Sequence, residues 1–580
     1  MKRSVAMVMV LGVLFLASPV HAQGNGRGKP GGGGGGTTCP QNRLAFLPVT
    51  ATELQTAIDC ADPGATITLR AGSTQIYEGN FVLRHKPEVS EADGTTPKRI
   101  TIQSSVVSNL AGNVRVTPAK QDSMAWLAVP AGSSSPVLAT ELKSLDRKTR
   151  RAASHYRFVG IKFTTDHWVA HLVRLGTGTE QLVDELPTGI AFDRSYFAGS
   201  EGEGSKQGLV ANGRDIAVTN SYFKDFKDTA NDALAIAIWN GPGPYMIQNN
   251  YLEGSGENMM SGGGDPTIPD LVPSDMIVRW NHFFKPPHWT FETSTQAGTP
   301  FGKKWRIKNL FELKNARRVT VRGNVFENNW IQADQHGFAI QLTPRNQGGG
   351  CRWCTVEDVT FEDNIVRNST AGINVMATDD TRPSGPLQRV AIRNNLLVNI
   401  TGNAFPGTPI LDRSGRLVQI LNPSTTVRRI DLTVDRNTAF SSREVSFSGW
   451  NPTSGVAFTN NVIRHNRCTA GNDCGMSGNN TSPGMPSITA WFTSPVVVSG
   501  NILFDAGRDR SAEYPAGNQF PDTVSFASSI DQVTGVPSGP NPDYTAVDST
   551  TGAPLGVGVD WPKLEAQTDV ATSGVAPAEP

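Results

Sequence analysis

Residues 305–330 read WRIKNLFELKNARRVTVRGNVFENNW. Phe311 and Leu313 alternate with Glu312 and Lys314, as in a strand with one face on a core. Val319 and Val321 repeat the alternation, and Asn324-Val325-Phe326 follows. The stretch therefore holds two short strands and a corner. It predicts one coil of a stack.

The same phrase returns along the chain: apolar-x-apolar, two residues, Asn or Ser, then apolar or aromatic residues. It reads IAFDRSYF (Ser195), IAVTNSYF (Ser221), YMIQNNYL (Asn250), MIVRWNHFF (Asn281) and VTVRGNVF (Asn324). It continues as VTFEDNIV (Asn364), VAIRNNLL (Asn395), LTVDRNTAF (Asn437), VAFTNNVI (Asn461) and VVVSGNIL (Asn501). Successive marker residues lie 24 to 43 positions apart. The short spacings suit a coil of three strands, and the long ones a coil carrying insertions. A sharp corner in each coil calls for left-handed or bridge geometry, which Asn tolerates. Stacked coils bring these amides roughly 4.8 Å apart, close enough to bond as a ladder. The Asn column is expected to be structural.

Composition agrees with strands and turns. The chain has 580 residues, 59 of them Gly, with 8% aromatics. Lys plus Arg and Asp plus Glu are 52 each, so no net field favours nucleic acid or a membrane surface. Lys2, Arg3, the apolar run Met7–Leu16 and Val20-His21-Ala22 read as a signal peptide over 1–22. Residues 23–38 read as a Gly-rich linker. No membrane span is expected beyond the leader, and the mature protein is expected to be secreted. Six cysteines suit an oxidising compartment. Cys351 and Cys354 form C-x-x-C, Cys468 and Cys474 lie close, and elimination leaves Cys39 with Cys60; zinc is the rival reading.

TELQTAIDCA at 52–61 has apolar residues at helical spacing, and Asp62-Pro63-Gly64 stops it. This helix is expected to cover the open edge of the first coil. Strands such as Ile100-Thr101-Ile102 follow. The predicted β-helix spans 39–505, residues 506–568 an irregular C-terminal cover over the last coil, and 569–580 a disordered tail.

The capping helix, the strands and the Asn-marked repeats resemble a right-handed parallel β-helix of the pectin-lyase-like superfamily. NYLEGSGENMMSGGGDP, VRWNHFFKP and KNLFELKNARRVTVRGNVFENNW resemble a bacterial group of secreted β-helix proteins described by fold. The superfamily holds polysaccharide lyases, glycoside hydrolases, esterases and adhesins, so the resemblance implies a fold and not a reaction. Polygalacturonase-type motifs occur out of order, as Arg306-Ile307-Lys308, Gln335-His336-Gly337 and Asp379-Asp380. Asp166-His167-Trp168 only echoes the pectate-lyase W-x-D-H strand. Lys314, shortly before Asn324, is similar to the catalytic lysine of chondroitinase-B and alginate-lyase types. Ile307 and Asn309 stand where those families carry acidic calcium ligands.

The strands before each marker phrase align as NDALAIAIWN, GENMMSGGGD, NLFELKN, HGFAIQLTPRN, AGINVMATDD and RLVQILN. Alternation sends Ile236, Phe311, Leu313, Phe338, Ile340, Ile373, Val375, Val418 and Ile420 inward. It sends Glu312, Lys314, Gln341, Asn374 and Gln419 outward, with Asp232, Glu257, Asp265, Arg345 and Asp379 at strand ends. Such a face suits an extended sugar polymer. The expected catalytic residues are Lys314, Arg345 and Glu312. The expected substrate-binding residues are Asp232, Trp239, Glu257, Asn258, Gln341, Asn374 and Asp379. Calcium, if bound, would sit on Glu257 and Asp265. Trp305, Trp330 and Trp353 read as packing residues before sugar platforms. The expected function is a polysaccharide lyase on an acidic, uronate-containing polymer; the alternatives are a non-catalytic glycan- or surface-binding β-helix and, third, a glycoside hydrolase. Expected partners are a polysaccharide and no nucleic acid, with the protein a monomer.

Overall fold

Each coil is made from three strands because the sequence alternates three times between corners. Ala316–Arg322, Val325–Asn329 and Phe338–Leu342 are one such set, separated by Gly323-Asn324 and by residues 330–337. A computed structural model describes residues 38–577 apart from 147, 292–301, 470 and 472. The leader and most of the Gly-rich linker lie outside the described residues, and the folded unit begins at Cys39.

Among the described residues the strands stack into three parallel sheets: A with 14 strands, B with 13 and C with 12. Each strand pairs with its counterpart one coil away, so the chain winds a right-handed parallel β-helix. The register keeps like beside like: Val319 on Val359, then Val390, Leu432 and Val456. These inward columns make one continuous core. Phe163, Phe197 and Phe223 stack at 4.9 and 4.1 Å within it.

The marker residues form the expected ladder. Asn324 Oδ1 accepts the backbone N–H and the side-chain amide of Asn281 at 2.9 and 3.0 Å. Asn324 Nδ2 donates to the Val278 carbonyl at 2.9 Å. The pattern repeats upward through Asn364, Asn395, Asn437, Asn461 and Asn501 to Asn518. One expectation is corrected. The left-handed residue is not the ladder Asn but the residue before it: Arg194, Asn220, Asn249, Trp280, Gly323, Asp363, Asn394, Arg436, Asn460 and Gly500. That residue turns the corner, which points the following Asn amide along the stack.

Helix α1 (Ala51–Cys60) covers the first coil. Thr50 caps it, with Glu53 completing a capping box, so its start lies just before the position read from sequence. All six cysteines pair, as Cys39–Cys60, Cys351–Cys354 and Cys468–Cys474. Helix α2 (Met485–Trp491) and the segment carrying Tyr514 and Phe520 pack on the last coil.

The C-terminal expectation is also corrected. Residues 524–564 do not sit over the last coil; they return along the outer face of sheet B. Val524, Phe526, Tyr544, Val559 and Leu564 pack there on Leu396, Phe440, Val462, Ile502 and Phe504. Residues 569–573, read as tail, end helix α3 (Trp561–Ser573), and Val575 bridges to Val114. Residues 578–580 lie outside the described part. Among the described residues no helix is long and apolar enough to cross a membrane.

Candidate active site on sheet C

Insertions gather at the two ends of the sheet C strands. Residues 285–310 and 401–417 lead into it, and residues 262–273, 343–355 and 377–386 lead out. The corners from A to B, by contrast, are as short as Gly323-Asn324 and Asp363-Asn364. Loops that vary over a rigid scaffold are where binding groups collect.

The outward column runs in register as Met260, Glu312, Gln341, Asn374, Gln419 and Phe447. The alternation read from sequence is therefore correct in direction, and Phe311, Leu313, Ile340, Ile373, Val375, Val418 and Ile420 join the core. Exposure was misjudged, because the polar groups bury one another. Asn374 Nδ2 donates to Gln341 Oε1 at 2.7 Å, and Gln419 Nε2 to Asn374 Oδ1 at 2.9 Å. Gln341 Nε2 donates to Gln335 Oε1 at 2.8 Å, and Arg416 Nη1 to Gln419 Oε1 at 2.8 Å. This is a second amide ladder, outside the core.

Toward the N-terminal end of the column lies a charged cluster. Asp232 is clamped by Arg306 Nε at 2.8 Å and Lys308 Nζ at 2.8 Å. Arg306 also reaches Asp334 at 2.8 Å. Lys308 Nζ lies 3.8 Å from Glu257 Oε1. Lys314 Nζ lies 3.6 Å from Glu312 Oε1, whose other oxygen accepts from Asn309 at 3.1 Å. On the next coil Arg345 pairs with Asp379 at 3.2 Å and with Asp380. The Arg345 backbone N–H donates to the Lys314 carbonyl at 2.9 Å, so the two side chains rise from adjacent coils.

Glu257 stands apart within this cluster. It is 0% exposed, and neither carboxylate oxygen has a hydrogen-bond partner. Burial first, then the nearby Asp232 charge, pushes its carboxyl up to about 8, against the pull of Lys308. Burial would raise Asp232 too, but Lys308, Lys314 and Arg306 outweigh it and hold that carboxyl below its usual range. Lys308 is raised, since Asp232 and Glu312, with Glu257 in its ionised form, overcome its own burial. Beneath them Lys285 is fully buried and lowered to about 7 by that burial. Its ammonium group donates to the carbonyls of Gly254, Ser255 and Gly256 and to Asn258 Oδ1.

Asn258 thus lies under the face rather than on it, donating to the Leu252 and Phe284 carbonyls. Asp379 caps a loop, accepting from Asn346 and Thr381 backbone N–H groups. Trp239 is half-buried on Met260 and beside Gly264. Trp305 and Trp330 are buried with Trp289, as packing residues. Asp265 accepts the N–H groups of Gly348 and Gly350 at 2.9 and 2.8 Å and shares no partner with Glu257. Among the described residues no group of three or more His, Cys, Asp or Glu converges as a metal site. The calcium expectation does not fit this donor set. Sequence reasoning missed Lys285 altogether and saw Arg306 and Lys308 only as an out-of-order motif. Basic residues on either side of Ile307, just before a strand, were the available signal.

A cavity of about 540 Å³ lies elsewhere, among His85, Lys86, Arg151, His155, Asp184 and Asp215. Two of its acids are already paired, Asp184 with Arg151 at 3.6 Å and Asp215 with Arg99 at 3.0 Å. Sheet C holds an unpartnered buried acid beside partly exposed cations, and the candidate site is placed there.

No protein-family model and no curated protein matches the sequence. Solved structures do. The chain is similar to the PL6 family alginate lyase AlyGC at 16% identity, over 89% of this chain, with a TM-score of 0.47. It spans 58% of the AlyGC chain's length. A mannuronic acid specific family 6 lyase from human gut microbiota matches at 13% identity, over 81% of this chain and 87% of that one, with a TM-score of 0.44. A GH87 alpha-1,3-glucanase from Streptomyces thermodiastaticus matches at 12% identity, over 80% and 69%, with a TM-score of 0.44.

Proposed function

We propose that this β-helix is a secreted polysaccharide lyase, which cleaves an acidic, uronate-containing polymer by β-elimination on the outer face of sheet C. The observation that carries this is which charges reach the surface. Arg306, Lys314 and Arg345 keep 27%, 11% and 25% of their side-chain surface, whereas Glu257 and Glu312 keep 0% and 3%. Asp232 keeps 29% but is held by two cations. Arg306 and Arg345 are each paired in the free protein, with Asp232 and Asp334 and with Asp379 and Asp380, so a uronate carboxylate would bind them by exchanging with these acids, while Glu257 and Glu312 stay enclosed.

In this reading Arg345 and Arg306 meet the uronate carboxylate and acidify the adjacent C–H. Lys314 takes the proton; the C–H pair forms the new C=C bond as the C–O bond breaks. The same ammonium then returns the proton to the leaving oxygen. Glu312 and Asn309 hold the Lys314 side chain over the coil.

Incubation with alginate, polygalacturonate and glycosaminoglycans, followed by ultraviolet absorbance of the unsaturated product, tests this. Lys314→Ala and Arg345→Ala are each expected to slow turnover by about a hundredfold or more. Absence of new absorbance on every polymer rejects elimination. A second reading, hydrolysis, is favoured by one observation: Glu257 keeps its proton while Asp232 stays ionised, the split an acid and its partner need. Reducing ends released without absorbance would select it, and binding without either product would select a non-catalytic glycan binder.

A further inference from the structure

Trp168 keeps 40% of its surface exposed, unlike Trp289, Trp305 and Trp330. It stands just before the sheet C strand His171–Leu175. Its indole N–H donates to Asp228 Oδ2 at 2.8 Å. Asp228 is itself buried, and its Oδ1 accepts the Ala230 and Asn231 N–H groups at 2.7 and 2.8 Å. The Asp228 carbonyl accepts the Arg306 N–H at 2.8 Å. The exposed ring is thus pinned by its edge to the segment that carries Asp232.

Register fixes its distance from the charged cluster. His171 pairs with Gln207, Gln207 with Leu234, and Leu234 with Glu257. Trp168 therefore lies at the strand-start margin two coils below Asp232, which at one strand spacing per coil is roughly 10 Å. On Trp168's own coil the outward column holds Arg174, and it then runs Val210, Ala237 and Met260 before it turns to Glu312. Trp239 packs on Met260 at the other margin. Val210, Ala237 and Met260 are themselves buried, so a ligand on these coils would meet the exposed Trp168 and the half-buried Trp239 rather than that column.

Pyranose rings have apolar C–H faces, and uronates add a carboxylate at the rim. We infer that Trp168 is a stacking platform for the acidic polysaccharide, holding a distal part of the chain four to five coils, roughly 20–25 Å, from Lys314 and Arg345. This rests on the reading of sheet C as a polysaccharide face. Asp228 is the positioning residue that fixes the ring plane.

The test is affinity electrophoresis of the full chain through gels holding alginate or polygalacturonate, with thermal melts as a check on folding. Trp168→Ala should bind about tenfold more weakly than wild type, and Trp168→Phe should keep most of the retardation. In turnover, Trp168→Ala should raise KM and leave kcat within about twofold. Equal retardation of wild type and Trp168→Ala overturns the inference, as does a wild type that neither gel retards. A wild type that is retarded by way of Trp168 but cleaves nothing sinks the lyase reading alone and leaves the platform standing.

Discussion

The carboxyl of Glu257 has lost both water and hydrogen-bond partners, and keeping its proton is the response open to it. The folded group holds the proton to about 8, whereas an ordinary glutamate releases it near 4.5. Between those values the folded chain binds more protons than the unfolded one, so stability falls as pH rises. The contribution is complete below 4.5 and lost above about 8. Lys285, lowered to about 7 by burial, runs the other way from there toward 10.5, and removing Glu257 also removes the charge that opposes that lowering. Glu257→Gln has the same shape and no proton to lose. Its melting temperature should match wild type in mild acid and exceed it by a few degrees near pH 8. Melts across that range check this; a constant difference at every pH would show that Glu257 does not titrate there. Strand alternation placed Glu312 on the outer face because Phe311 and Leu313 are apolar. It gave no warning that Asn309 and Lys314 would cover Glu312, or that Glu257, at a strand's first position, would be enclosed by Lys308 and the layer around Lys285.

An element's worth of order comes from each ladder rung. Asn324→Ala would leave the Asn281 backbone N–H, the Asn281 amide and the Val278 carbonyl without their partner, all buried. That should cost about 3 kcal/mol or more. Asn324→Asp keeps an acceptor for Asn281 but turns an oxygen on the Val278 carbonyl, and should be as damaging. Ser195→Ala removes only a 3.3 Å hydroxyl donation to the Asp193 carbonyl and should cost about 1 kcal/mol or less. Urea unfolding of the three variants measures this, and similar losses at positions 195 and 324 would count against the ladder as a stabilising column. The rungs were readable in the sequence because every coil repeats the same corner chemistry. The corner's left-handed residue was readable in part: Asn, Asp or Gly fills seven of the ten corners, while Arg194, Trp280 and Arg436 take the same backbone with no side-chain signal for it. At Gly323 the reason is visible: a Cβ there would meet the Gln567 backbone carbonyl of helix α3 at 3.2 Å and the Trp280 ring at 2.8 Å.

At the scale of the molecule, the repeat leaves one problem unsolved by local rules. The outer face of sheet B runs Ile365, Leu396, Thr438, Val462 and Ile502 in register, an apolar strip that water should not meet. Residues 524–564 cover it, and Arg115 ties the end down. Its guanidinium donates to the Ala571 carbonyl at 2.8 Å and to Asn249 Oδ1 at 3.0 Å, while its backbone N–H donates to the Gly574 carbonyl at 2.7 Å. From sequence this segment read as irregular because its partners lie far back in the chain and no period links them. Local signals for helix α3 were nonetheless present, in the Asp560 cap, Pro562 in the first turn and Gly574 at the left-handed end. A chain ending at residue 523 should therefore keep its three sheets but expose Leu396, Phe440, Val462 and Phe504 together. It should melt roughly ten degrees or more below the full chain, bind an apolar-surface dye and associate in solution. Ending at residue 560 removes Trp561 and Leu564 from the cover, with the Ala571 and Gly574 carbonyls that hold Arg115, and should give a smaller shift in the same direction. Light scattering, dye fluorescence and melting of the two truncations decide it: a soluble monomer with unchanged melting at 523 would mean that the sheet B strip needs no cover, and that the return segment serves something other than stability.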